Sequence, residues 1–163
     1  MPTPAELTHS FWSHLRSDMT VMAGLAAEDG HMRPLTAQLD GDGDHGPIWF
    51  FTAKDTDIVE ALDGLARRGS ISFASKSHDL FACVHGTFAV DNDRDMIDRL
   101  WNRFVAAWYE EGKDDPKLTL LRFDPEKAEI WENASSLWAG LKIMLGADPK
   151  ADYADKVAKV ALR

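Results

Sequence analysis

Apolar residues recur at helical spacing at the start of the chain. Leu7, Phe11, Trp12 and Leu15 fall on one face and predict a helix over Pro4–Ser17. From Met19 the pattern changes. Met19–Ala27 is short of charge and ends at Glu28-Asp29-Gly30, a hairpin turn signal, so Met19–Ala27 and His31–Leu39 read as two strands. Pro34 removes a backbone donor from the second, which suits an edge, a bulge or the start of a binding site. Asp40–Pro47 is a loop. Ile48–Ala53 is a strand whose alternation sends Phe50 to one face and Trp49 and Phe51 to the other.

Asp55–Leu65 reads as a short helix with Ile58, Leu62 and Leu65 on one side. Ser70–Ser77 and Leu80–Val90 read as strands, with Gly86 marking a bulge or a close approach. The clearest helix is expected over Arg94–Tyr109, where Ile97, Leu100, Trp101, Phe104, Val105 and Trp108 form one stripe. Asn92 or Asp93 can cap it, and the stripe predicts a core role for both tryptophans. Glu110–Pro116 ends it. Leu118–Phe123 and Ala128–Glu132 are the last expected strands, joined by a turn at Asp124-Pro125. The tail from Ser135 has a helical pattern broken near Gly146–Pro149, and its Val157, Val160, Ala161 stripe is thin.

Short strands with helices at the ends and in two insertions predict a mainly β, α+β fold, a small antiparallel barrel or sandwich. A doubly wound sheet would need regular strand–helix alternation, which is missing. At 163 residues the expectation is one domain spanning 1–163.

Charge narrows the partners. Lys and Arg number 18 and Asp and Glu 27, a formal net charge of −9 with no basic block. That balance argues against nucleic acid and anionic membranes, whose binders gather cations on one face. Met1–Glu6 carries neither a basic nor an apolar leader pattern, and no apolar run approaches the ~18 residues of a membrane span. Cys83 is the single cysteine. These features set a cytoplasmic location as the expectation.

Few motifs carry chemistry. Asp40, Asp42 and Asp44 have the spacing of the first three ligands of a calcium loop. His45 stands where that loop needs glycine and Phe51 where it needs a bidentate glutamate, so a solvated loop is the better reading. Cys83 and His85 share a strand face, as a soft-metal dyad, a thiol–imidazole pair, or a packed cysteine beside a hydrogen-bonded histidine, the last being preferred. Trp49-Phe50-Phe51 serves either a core and a dimer interface or a stacked planar ligand. Arg33-Pro34-Leu35-Thr36 can present a guanidinium fork to an anion, or a surface ion pair. No catalytic nucleophile or metal set is apparent.

Taken in order, several stretches resemble one family. They are Arg33-Pro34-Leu35-Thr36, Ile48–Thr52, Val84–Ala89, Leu100–Phe104, Trp108-Tyr109-Glu110-Glu111-Gly112-Lys113-Asp114-Asp115-Pro116 and Ala128–Glu132. Over roughly residues 5 to 145 the chain resembles the general stress protein 26 group of the pyridoxamine phosphate oxidase-like, FMN-binding split-barrel proteins. The Trp108–Pro116 segment is the most specific part.

The resemblance implies an antiparallel split β-barrel working as a homodimer, with FMN in a cleft at the subunit interface. It implies that Arg33, Pro34, Leu35 and Thr36 line the ribityl and phosphate side, that Phe51 and Thr52 follow, and that Trp131 lies near the flavin ring. The family pattern then has a hydroxyl residue and, two positions on, a lysine, both gripping phosphate. Here those positions are Thr56 and Ile58. A charge-assisted bond contributes about 1.5–3 kcal/mol, so its loss implies roughly tenfold to a hundredfold weaker binding. Lys54, Arg67 and Arg68 are the nearby replacements.

The implied function is a flavin-dependent oxidoreductase acting on a small molecule, with a nicotinamide cofactor as possible electron donor. No catalytic side chain is required, because the flavin carries the redox chemistry. The rival is a non-catalytic dimer that has lost FMN or binds another flat cofactor such as haem or a deazaflavin. Ile58 favours the rival, whereas Arg33, Thr52 and Thr56 favour the flavoprotein.

Overall fold

Thr3 sets the start of the first helix. Its hydroxyl accepts the Glu6 N–H at 3.2 Å, while the Glu6 carboxylate accepts the Thr3 N–H at 2.6 Å, a reciprocal cap that satisfies two orphan donors. Helix α1 runs Pro4–Asp18 and buries Leu7, Phe11, Trp12 and Leu15, the four residues the spacing selects. The computed structural model describes residues 2–27, 30–132 and 157–163. The turn signal at Glu28-Asp29 and the helical pattern over 133–156, including Trp138, lie outside the described residues.

Among the described residues seven antiparallel strands form the sheet: β1 Thr20–Leu25, β2 Arg33–Thr36, β3 Ile48–Ala53, β4 Arg67–Ala74, β5 Leu80–Val90, β6 Leu118–Glu132 and β7 Val157–Ala161. Their order is β2-β1-β4-β5-β6-β3, with β7 also on β6. The segment that follows β2 meets β3 at a single isolated bridge, Gln38 to Trp49, with N···O distances of 2.7 and 3.0 Å. The sheet therefore curls without closing. This is an α+β fold of the split-barrel type.

Alternation divides the sheet into two faces. Val21, Ala23, Ile48, Phe50, Ile71, Phe73, Val84, Phe88, Leu121, Phe123 and Ile130 point inward, to the core that α1 joins. Trp49, Leu118 and Leu120 point outward, to a second cluster with Ile97, Leu100, Val105 and Tyr109. Phe50 thus faces away from Trp49 and Phe51, as the alternation predicts. Helices α3 Arg94–Leu100 and α4 Arg103–Ala106 supply that outer layer.

The single helix expected over Arg94–Tyr109 is two short ones. The Asn102 carboxamide accepts the N–H groups of Phe104 and Val105 at 3.0 and 3.1 Å, which starts a new helix and rotates the following residues. Ile97, Leu100 and Val105 stay buried, but Phe104 is 70% and Trp108 84% exposed. The core role expected for Trp108 is therefore wrong, and Trp101 is only half-buried, edge-on to Phe51 at 5.9 Å.

Other boundaries differ as well. The turn expected at Asp124-Pro125 is a bulge within one long strand, β6. Opposite it the register shifts at His85/Gly86, so His85 pairs with Lys127 and Gly86 with Pro125. A β-carbon on Gly86 would lie 2.1 Å from the Asp124 carbonyl oxygen, which explains the glycine. The end of the tail is not helical: Val157–Ala161 is strand β7, and Arg163 joins Arg68 on the carboxylate of the bulged Glu126. The second strand is also shorter than the expected His31–Leu39, because after Thr36 the chain leaves β1 to make the bridge to β3.

Candidate functional site

The site grows from the seam where the barrel is split. β2 and β3 lie side by side there, yet beyond Gln38–Trp49 no ladder joins them. Extending the antiparallel sense of that bridge sets Thr36 alongside Phe51 and Pro34 alongside Ala53. Both strands turn a sheet edge toward the seam. Pro34 is placed on such an edge strand, which accounts for a proline inside a β run.

Side chains on β2 alternate. Leu35 packs on the core, and Arg33 pairs with Ala23 across to β1 on the same inner face. Pro34 and Thr36 lie on the outer face opposite Met22 and Thr20. The structure thus splits the Arg33–Thr36 stretch between two faces.

At the far end of β3 three hydroxyls gather. Thr52 pairs across the ladder with Thr119. The Thr52 hydroxyl donates to the Thr56 hydroxyl at 3.4 Å, and the Thr56 hydroxyl donates to the Ala53 carbonyl at 2.9 Å. Thr119 is buried and its hydroxyl has no partner. Thr119 lacks any motif signal. Only strand pairing, which a single sequence does not reveal, brings it to this corner. Helix α2, Asp57–Leu62, begins directly after Thr56.

The cations around this corner differ in availability. Arg68 is committed to Glu126, and Arg67 donates to the Leu62 carbonyl at 3.2 Å. Among the described residues Arg33 and Lys54 have no acidic partner. Ile58 is 6% exposed and belongs to the inner core, so no cation stands there. Arg33, Lys54 and the hydroxyls of Thr52 and Thr56 are the groups on these strands that could hold a phosphate.

Trp131 is elsewhere. It lies at the other end of β6 from Thr119, roughly 40 Å of strand length away at about 3.3 Å per residue. It lines an outer groove of about 520 Å³ with Thr20, Met22, Ser72, Phe81 and Cys83. Within one chain, Trp131 and the Thr52–Thr56 corner do not form one site. Pro34 and Thr36 are the predicted residues nearest this groove, through their pairing with Met22 and Thr20.

The Cys83 sulfur lies 3.7 Å from His85 Nε2. Burial, and then the Glu129 carboxylate, push the thiol pKa up. That favours the protonated thiol and disfavours a nucleophilic or metal-binding thiolate. Asp40 and Asp44 of the aspartate loop pair with Arg99 at 3.0 Å and His9 at 2.7 Å. No group of three His, Cys, Asp or Glu converges among the described residues.

This arrangement can be set against known proteins. The pyridoxamine 5'-phosphate oxidase like family matches residues 6–152. The chain belongs to this family. The general stress FMN/FAD binding protein of Xanthomonas citri is 56% identical, the match covering 81% of this chain and 92% of that one at a TM-score of 0.76. General stress protein 26 from Jannaschia sp. CCS1 is 30% identical and covers 98% and 99% at a TM-score of 0.82. General stress protein 26 of Bacillus subtilis strain 168 is 31% identical over 52 residues, which is 32% of this chain and 36% of that protein. The match thus spans about a third of that curated relative.

Proposed function

We propose that this chain binds FMN at the seam between β2 and β3, works as a homodimer, and uses the flavin in redox chemistry on a small molecule. The observations that carry this reading are two cations, Arg33 and Lys54, with no acidic partner among the described residues, and the linked hydroxyls of Thr52 and Thr56 at the end of β3. The FMN/FAD binding named for the 56% identical Xanthomonas citri protein supports it. A dimer also answers the separation described above. Trp131 and the outer groove of one subunit can meet the phosphate end of the other, so the flavin is held from both sides.

The division of labour is simple. A bound flavin supplies hydride chemistry, with a nicotinamide cofactor as electron donor. The chain supplies a phosphate grip, an orienting aromatic at Trp131 and a partly enclosed cleft. A second reading, a dimer without flavin, rests on Ile58, which packs in the core where the family pattern has a phosphate lysine. Fluorescence titration with FMN separates the two. Saturable quenching at about one FMN per chain is expected, and a flat titration with excess FMN would remove the flavin reading.

A further inference from the structure

Two apolar features stand uncovered on the outside of the sheet. One is convex. The Asn102 cap that divides the expected helix turns Phe104 and Trp108 away from the core, and they are the most exposed large hydrophobic residues among those described. The Arg103 guanidinium lies over the Phe104 ring at 4.9 Å, which leaves the Trp108 ring the freer of the two. The other feature is concave. It is the groove of about 520 Å³ walled by Met22, Phe81, Cys83 and Trp131, and none of its lining side chains is charged.

These features belong to opposite ends of one strand. Tyr109, next to Trp108, packs with Leu118 and Leu120 at the start of β6. Trp131 lies at its finish, where Glu129 pairs across the ladder with Cys83. Leu120 and Glu129 are roughly 30 Å of strand apart, at about 3.3 Å per residue. Within one chain the aromatic knob therefore cannot reach the groove.

A second copy brings them together. A two-fold axis across the middle of β6 reverses the strand, and so sets the Leu118 end of one copy against the Trp131 end of the other. Each knob then meets a groove, twice in one closed pair, and neither is left over to extend a chain of contacts. Aromatic side chains bury about 150–250 Å² each. Two phenylalanines and two tryptophans, with the groove surface that they cover, approach the ~1,200 Å² at which stable interfaces begin. An unrelated partner has to supply both shapes, whereas every copy of this chain carries both.

We propose that Phe104 and Trp108 of the partner subunit seat in the outer groove, so that Trp108 of one chain and Trp131 of the other wall the same cleft. This rests on the homodimer proposed above and adds the residues that the partner contributes to the site.

Cys83 is the single cysteine and lines the groove, so disulfide trapping in the intact chain is a direct test. Trp108→Cys and Phe104→Cys each place a second thiol on the knob, with copper–phenanthroline as the oxidant. A disulfide needs Cα atoms within about 7 Å, so neither thiol can bridge to Cys83 of its own chain. A covalent dimer is expected in at least one of the two variants. It should be absent from the parent, from the same variants carrying Cys83→Ser, and from Glu60→Cys, an exposed position on α2. Trp108→Ala should also raise the dimer dissociation constant about tenfold or more, as for a buried interface tryptophan. A dimer by sedimentation equilibrium in which neither variant bridges would overturn the seating and leave the homodimer standing. Bridging that survives Cys83→Ser would mean that the two knobs meet at the axis, and would overturn it as well. A monomeric parent would overturn both the seating and the homodimer.

Discussion

At the residue scale, affinity for a phosphate group turns on which cations are free. Arg68 and Arg67 are near in sequence, but one is held by Glu126 and the other by the Leu62 carbonyl. Arg33 and Lys54 have no acidic partner among the described residues. Arg33→Ala and Lys54→Ala should each weaken FMN binding about tenfold to a hundredfold, the loss expected for one charge-assisted bond. Thermal midpoints should change little, since neither side chain has an ion pair to lose among the described residues. Unchanged FMN affinity in both variants would place the phosphate elsewhere. The sequence shows which residues are charged, but whether a charge is already spent depends on partners as remote as Glu126 from Arg68. That is why Lys54, Arg67 and Arg68 are equivalent on sequence grounds and distinct in the fold.

At the scale of elements, periodicity reveals what neighbours along the chain decide. Ile48–Ala53 and Leu80–Val90 have the expected bounds because their alternation is regular. The helix over Arg94–Tyr109 fails where a local hydrogen bond competes with the stripe, since the Asn102 side chain captures two backbone donors. The Asp124-Pro125 turn fails for another reason. Proline and aspartate signal a turn equally well when they sit at a bulge, and only the pairing with β5 distinguishes the two. That bulge has a sharp requirement. Gly86→Ala would press a β-carbon into the Asp124 carbonyl oxygen, so the urea midpoint should fall by an amount equivalent to about 1–3 kcal/mol or more. A midpoint equal to that of the parent would contradict the close approach.

At the scale of the whole molecule, the uncovered surfaces matter most. The helices α3 and α4 cover the outer face over β3 and the start of β6, while no described helix covers the groove at Met22, Phe81, Cys83 and Trp131. Phe104 and Trp108 are exposed as well. Apolar surface of this kind is typical of association sites. Sedimentation equilibrium is expected to give twice the chain mass of 18.2 kDa, and Met22→Asp at the groove should shift the protein toward monomer. A monomer at micromolar concentration in the parent would contradict the shared flavin site. The architecture was legible from strand pattern and resemblance. The split of the candidate site over two ends of β6 was not, because it depends on how one long strand carries Thr119 and Trp131 apart.

The most direct measurement is the visible absorption spectrum of the protein after incubation with excess FMN and gel filtration. The account predicts flavin bands eluting with the protein at about one FMN per chain, reduced in Arg33→Ala. Protein emerging colourless, with all flavin in the small-molecule fraction, would contradict it.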